Sequence, residues 1–501
     1  MKRTLKLPEV HNDHLMPFRW KELDGRVLLT NDGGEYAWLE KAEFGDFLAG
    51  TLAEDSPAYR LLNDRHFLRS PDSEQALRAK IHARSGHLML GPGLHIVILT
   101  LRCNQNCVYC HASRKPLKSK GFDMSLDTAS RVLDIIFQSP ARELTIEFQG
   151  GEPTLNFEVL RYMVEDAYRR ADEQGRTVYF SLVSNLGQMK DEEIDFLVDN
   201  GVMVCTSIDG PAELHDKNRR FSGKSSHREA LRQIDRFRQA YRKRGLDTDL
   251  AYVNALTTVS RSSLASPEDI VDEYVRLGHK VVHLRPLNPF GMGLRIWDRE
   301  GYSAEQFLSF YRRALEHIVA LNKQGVEIME KTASIFLTRI LTDENPNYMD
   351  LRSPCGAGIG QLAYNHDGRV YTCDEGRMVG AMGDDIFCIG NVHENDYADI
   401  IHHPGVRSLC VASCIEGLPG CADCPYVPYC GVCPIYNYMV EGDLVARGSG
   451  NDRCQIQKSI LDMLMSLLQQ DGMEPLLMRW TETKDRSSVY RRLGSGGERQ
   501  E

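Results

Sequence analysis

The chain has no apolar run approaching the ~18 residues that a membrane-spanning helix requires, and its N-terminal MKRTLKLPEVHND carries basic residues without the hydrophobic stretch of a secretion signal. It has no surplus of positive charge. Lys and Arg number 60 against 70 Asp and Glu, a net charge of -10, so nothing draws the whole protein toward nucleic acid or an anionic membrane. Cysteine is absent from residues 1–92. The expectation is a cytoplasmic protein with no nucleic-acid or membrane partner. Hydrophobic residues at 42% and charged residues at 26% describe a globular chain, and 501 residues suggest about three domains.

Cysteine is plentiful elsewhere. Fourteen cysteines without a secretion signal point to metal or redox work rather than disulfides. Ten lie between 355 and 454, three form the run LRCNQNCVYCHAS at Cys103, Cys107 and Cys110, and Cys205 in MVCTSI reads as a core residue. A C-x3-C-x2-C loop supplies three thiolates where a [4Fe–4S] cube has four irons. The iron left without a protein ligand can chelate a small molecule and pass it an electron, as in S-adenosylmethionine (SAM) radical chemistry. A lone zinc ion is the competing reading of that loop.

From about 94 to 325, short apolar strands alternate with amphipathic helices, which predicts an α/β fold with a parallel sheet. The six strands are 94–101, 144–148, 178–183, 203–208, 251–256 and 281–284. Ser125 reads as an N-cap, and Gly201 as the residue that closes a helix over 191–199. Parallel α/β folds carry their chemistry on the loops after the strands. The cysteine trio follows the first strand. Gln149-Gly150-Gly151-Glu152-Pro153 follows the second, its glycines exposing backbone N–H and C=O groups and Glu152 adding a carboxylate. Ser184-Asn185-Leu186-Gly187 follows the third, and Ser207-Ile208-Asp209-Gly210-Pro211 the fourth, with His215 and Asp216 read as loop-ordering groups.

This ordered set resembles the radical SAM enzymes, and specifically the branch that modifies peptides and proteins, such as the anaerobic sulfatase maturases; FQGGEPTL, SNLG and SIDGPAELHD carry the likeness. The resemblance implies a partial (β/α)6 TIM-type barrel. It implies that Cys103, Cys107 and Cys110 hold a SAM-binding [4Fe–4S] cluster and that Gly150, Gly151 and Glu152 bind the methionine amino group. Asn185 and Ser207 would face the ribose or carboxylate, and Tyr109 the adenine.

The later cysteines resemble a SPASM domain: Cys355, Gly368 and Cys373 around the hairpin-like GQLAYNHDGRVYTC, then Cys421, Cys424, Cys430, Cys433 and Cys454. Two auxiliary [4Fe–4S] clusters are implied, one on Cys421, Cys424, Cys430 and Cys454, the other on Cys355, Cys373 and Cys433. Two departures stand out. Cys430 and Cys433 are separated by two residues instead of three, and Gln361 stands where sulfatase maturases carry a further cysteine. Cys388, Cys410 and Cys414 are candidates for the missing ligand, and zinc is the competing reading of the Cys421–Cys433 group. By the same resemblance Asp374 would act as a base.

The domain expectation is an N-terminal module over 1–92, the barrel over 93–330, the SPASM region over 331–470 and a tail over 471–501, polar and disordered toward its end. The module, with strand-like RVLLTND and EYAWLE, reads as a small α+β unit, either a winged-helix-like grip for a leader peptide or a cap on the barrel. LLTNDGGEY, CDEGRMVGAMGDDIFCIGNV and PYCGVCPIYNY further resemble the radical SAM maturase of the His-Xaa-Ser repeat peptide system. That implies a ribosomal precursor peptide as substrate, an electron donor such as flavodoxin or ferredoxin, and a second radical SAM maturase alongside. The alternatives are a small-molecule radical SAM oxidase and a multi-cluster electron-transfer protein.

Overall fold

Periodicity alone placed the elements in order; the computed structural model, which describes residues 12–346, 348–445, 451–482 and 484–493, shows how they join. The N-terminal module is a three-stranded antiparallel sheet, β1 (Arg19–Leu23), β2 (Arg26–Thr30) and β3 (Tyr36–Leu39), in that spatial order. Helices Lys41–Ala49 and Pro57–Asp64 pack Phe44, Phe47 and Leu62 onto its buried Val27, Leu29 and Leu39. It docks on the second cysteine region. Thr30 Oγ1 donates to the Pro425 carbonyl at 2.6 Å, the Tyr429 hydroxyl donates to the Gly34 carbonyl at 3.0 Å, and Lys21 pairs with Asp462.

The remaining strands are β4 (Leu94–Thr100), β5 (Gln105–Cys107), β6 (Glu143–Gly150), β7 (Thr177–Val183), β8 (Val202–Ser207), β9 (Arg219–Phe221), β10 (Asn254–Val259), β11 (Val281–Val282), β12 (Leu284–Pro286), β13 (Met329–Glu330), β14 (Gln361–Tyr364), β15 (Arg369–Tyr371) and β16 (Cys388–Asn391). Nine of them form one sheet in the order β12-β10-β8-β7-β6-β4-β14-β15-β16. The first seven run parallel and the last two turn antiparallel. The cysteine-rich region thus extends the sheet through β14, which pairs with β4 over Gln361–Tyr364.

Two strand expectations shift. The fifth strand begins at Asn254 rather than 251, and the sixth is split: Val281–Val282 pairs with Met329–Glu330, while Leu284–Pro286 pairs with β10. Ser125 does cap Leu126–Ile136 through its hydroxyl, and Gly201, at φ 61, follows Asp191–Asp199. Part of the tail is packed: Val489 and Tyr490 are buried, and Arg486 stacks on Tyr252 at 3.7 Å. Residues 494–501 lie outside the described residues. No helix among the described residues is long and apolar enough to cross a membrane.

The strands divide their residues between two faces. On β6, Leu144, Ile146 and Phe148 are fully buried against the helices, while Thr145, Glu147 and Gln149 alternate with them on the inner face. A parallel strand covered on both sides is normally apolar on both. The inner face instead carries Glu147, Ser181, Cys205 and Arg285 within one another's electrostatic reach. Cys205, expected as core, is half-buried on this face and lines a cavity.

Candidate active site

The cysteine trio leaves the end of β4 and is held from both sides. β5 pairs antiparallel with β9, setting Cys107 opposite Arg219, and the Val108 amide donates to the Asn218 carbonyl at 2.8 Å. The Cys103 sulfur accepts from the Gln105 amide at 3.4 Å and from Asn185 Nδ2 at 3.5 Å. Such N–H···S bonds stabilise the thiolate form, the form that binds iron. Burial raises the Cys107 thiol to about 11, with the Arg219 charge opposing it.

The glycines after β6 answer first to packing. Gly150, at φ 142, and Gly151 lie so close to the cysteine loop that a Cβ would meet the Thr100 carbonyl oxygen at 2.1 Å and that of Arg102 at 2.3 Å. The Gly151 and Glu152 amides donate to those same carbonyls, each at 2.7 Å. The expectation that this turn offers N–H groups to a ligand is therefore corrected; they are already bound inward, so acceptor groups are what the turn presents. Glu152 is buried, and its Oε1 accepts from the Thr154 amide and hydroxyl and from the Ser184 hydroxyl, while Oε2 accepts from the Asn185 amide at 2.9 Å. Burial raises this carboxyl against those hydrogen bonds. With ~two acceptor directions per carboxylate oxygen, Oε2 keeps one.

Asn185, on a loop where Leu186 takes φ 51, donates to Asn104 Oδ1 at 2.8 Å as well as to Cys103. Ser207 sits half-buried at the end of β8, opposite Leu256. Below them lies a buried hub that the motifs did not announce. Asp209 accepts from the Tyr109 hydroxyl, from Asn218 Nδ2 at 3.3 Å and from the Thr258 amide at 3.3 Å, and it pairs with Arg219 at 3.2 Å. Arg219 in turn lies over the Tyr109 ring at 5.4 Å. His215, lowered to about 4 by burial, accepts from the Asp209 amide, and Asp216 accepts from Ser226 and His227; both order loops, as expected.

Glu147 and Arg285 on the inner face, and His111 on the cysteine loop, were also missed; for the first two the signal in the sequence was a charged residue on the inward register of an otherwise buried strand. Asp374 joins them in space: its charge reaches both Glu147 and His111, and its Oδ1 accepts from Arg377 Nε at 2.7 Å.

The later cysteines gather in two places. Cys355, Cys373 and Cys433 are buried in one cluster, where burial and then Glu375, Cys433 and Cys355 hold the Cys373 thiol well above its usual value. The Cys373 and Cys433 sulfurs each accept a backbone N–H at 3.4 Å from the first turn of the helix they cap. Cys421, Cys424, Cys430, Cys433 and Cys454 line one cavity of about 50 Å³. Cys388 packs at the edge of the first trio's cluster, with Asp385 and Arg369 as its charged neighbours, while Cys410 has Cys414. Among the described residues no three His, Cys, Asp or Glu are gathered tightly enough for one metal ion.

Residues 97–253 match the family model described as Radical SAM superfamily. A cysteine-type anaerobic sulfatase-maturating enzyme of Clostridium novyi is 20% identical over 66% of this chain and 83% of its own. The solved structure of native anSMEcpe with bound AdoMet and Kp18Cys peptide aligns with a TM-score of 0.62 at 17% identity, covering 77% of this chain and 100% of that one. Streptococcus suis SuiB bound to precursor peptide SuiA aligns with a TM-score of 0.51 at 13% identity, covering 88% and 98%. The three-cysteine loop and its glycine turn both lie inside the region that matches the radical SAM model, and over a longer span the chain is similar to the anaerobic sulfatase-maturating enzymes.

Proposed function

We propose that the chain is a maturase that oxidises or crosslinks a residue of a ribosomally made peptide, the candidate substrate being a His-Xaa-Ser repeat peptide. The observation that carries this reading is the convergence of the cysteine loop, the Gly150–Glu152 turn and a charged inner sheet face on which a substrate side chain can be presented. When bound by Cys103, Cys107 and Cys110, a [4Fe–4S] cluster with SAM supplies a 5′-deoxyadenosyl radical that takes hydrogen from the substrate.

The chain's own residues divide the remaining work. The free acceptor direction on Glu152 and the Gly150–Gly151 turn suit an ammonium group, and the buried Arg219 guanidinium beside Cys107 suits a carboxylate. Asn185 holds the Cys103 sulfur in place, Ser207 offers a hydroxyl at the strand end, and Tyr109 supplies a buried aromatic wall. Asp374 keeps an acceptor oxygen beyond its Arg377 bond and is the proposed proton acceptor. Cys421, Cys424, Cys430 and Cys454 would hold one auxiliary cluster, and Cys355, Cys373 and Cys433 the other, with Gln361 buried at the start of β14. Among the described residues β3 is an edge strand paired only with β2, which supports leader-peptide capture by strand addition in the N-terminal module. A flavodoxin or ferredoxin and a second radical SAM maturase are the proposed partners.

The test is anaerobic reconstitution, iron counting and incubation with SAM, dithionite and the repeat peptide. About 12 irons per chain, 5′-deoxyadenosine and a mass change in the peptide are expected. Intact clusters without 5′-deoxyadenosine would indicate electron transfer, and SAM cleavage with no change in any peptide would indicate a small-molecule oxidase.

A further inference from the structure

A cavity of about 530 Å³ opens at the end of the sheet opposite the cysteine loop. Asp249, Tyr252 and Lys280 form its rim just before β10 and β11, Cys205, Leu256 and His283 reach into it from the inner face, and Trp480 closes it from the C-terminal segment. That volume lies in the range of small-molecule sites, ~300–1,000 Å³. Its walls combine apolar Val281, Ile328, Met329 and Trp480 with five cationic side chains and only three carboxylates.

Several of these groups are already engaged. Lys280 lies 3.1 Å from Glu327 and 3.8 Å from Asp249. Arg486 donates to Asn254 Oδ1 at 2.9 Å and to the Leu250 carbonyl at 2.7 Å. Trp480 donates to Asn322 Oδ1 at 2.7 Å. Lys331 is half-buried in the wall, and its ammonium has no hydrogen bond or ion pair among the described residues. The adjacent Glu330 reaches it through its field but makes no hydrogen bond to it, because that carboxylate accepts from the Leu284 amide, the Ala333 amide and the Tyr311 hydroxyl. Burial lowers the Lys331 ammonium, the Glu330 charge opposes that and the Arg486 charge adds to it, and burial keeps His283 neutral. A partly desolvated cation facing open space is costly unless an anion meets it.

We propose that this cavity binds a carboxylate carried on an apolar body, with Lys331 as its counter-ion. The carboxylate belongs either to a peptide or to a separate small organic acid, and the proposal holds independently of which substrate the radical chemistry serves.

The test uses the full-length reconstituted protein, lysine acetylation mapped by mass spectrometry, and 4-phenylbutyrate as probe. Phenylbutyrate is expected to slow acetylation of Lys331 about tenfold, the scale of one charge-assisted hydrogen bond, and to leave Lys280 unchanged, while 4-phenylbutyramide protects neither. By ligand-observed NMR, Lys331→Gln is expected to lose saturable phenylbutyrate binding and Lys331→Arg to keep it. Protection by acetyl-Ala-Phe acid but not its amide assigns the site to peptide carboxylates, and protection by phenylbutyrate alone assigns it to small acids. Equal protection by acid and amide, no protection by either, or unchanged binding in a folded Lys331→Gln protein overturns the proposal.

Discussion

The side-chain amide of Asn185 lies 3.5 Å from the Cys103 sulfur and 2.8 Å from Asn104 Oδ1, so one group ties the loop after β7 to the cysteine loop after β4. A donor on a cluster sulfur stabilises the reduced, more negative state and so raises the reduction potential.

Asn185→Ala should therefore lower the potential of the cluster held by Cys103, Cys107 and Cys110. If the bond differs by about 1 kcal/mol between the two oxidation states, the shift is roughly 40 mV. An EPR-monitored redox titration measures it, and an unchanged potential with unchanged iron content removes the assigned role.

The glycine turn offers a contrast between two substitutions. Gly151→Ala sets a Cβ against backbone carbonyl oxygens at 2.3 and 2.5 Å, and backbone cannot swing aside. It should displace the cysteine loop, abolishing measurable SAM binding by calorimetry and lowering iron content. Gly45→Ala, inside helix Lys41–Ala49 with nothing within 4 Å, should stabilise by up to about 1 kcal/mol in thermal unfolding.

Asp209 holds four partners in a site closed to solvent. Asp209→Asn leaves the Arg219 charge without its counter-ion and should cost about 3–5 kcal/mol, read as a lowered Tm. Replacing both, Asp209→Asn with Arg219→Met, should recover part of that loss.

His95 makes stability depend on acid. It is fully buried between β4 and β14, bonding the Tyr364 hydroxyl at 3.1 Å and the Pro92 carbonyl at 3.2 Å, and burial lowers it to about 3 from 6.5. The unfolded chain binds this proton below 6.5 and the folded chain does not until about 3. Its contribution is therefore whole above pH 6.5 and is lost as pH falls toward 3. Between pH 6.5 and 5 the loss is about 2 kcal/mol. The urea midpoint should fall over that interval, and fall less in His95→Gln.

The cysteine groups predict iron content. Cys433→Ser should bring the reconstituted protein from about 12 irons toward 8, whereas Cys388→Ser, whose charged neighbours are Asp385 and Arg369, should leave the count unchanged. A loss of four irons in Cys388→Ser would make it a ligand.

The chemistry-bearing motifs were legible because each is local. Three thiols within eight residues must share a loop, and a Gly-Gly-Glu after a strand must stand at its end. Helix signals were equally local: the Ser125 hydroxyl reaches an amide three residues on, and Gly201 closes the helix before β8 because φ 61 suits a residue without Cβ. The split sixth strand was not legible, since pairing with Met329–Glu330 depends on a segment some fifty residues away in sequence.

The sequence by itself determined the alternating α/β order, the cysteine groups and the loop that each motif occupies, because periodicity and short-range spacing are properties of neighbouring residues. The tertiary structure alone decided that Asp209 and Arg219 meet under Tyr109, that Glu147, Arg285 and Asp374 face one another, that β14 extends the sheet from β4, and that Lys331 lines a cavity without an ion pair among the described residues. Each of these joins positions far apart in the chain. Their partners are chosen by sheet register and by which buried charges can be matched, and neither quantity is written in any single stretch of residues.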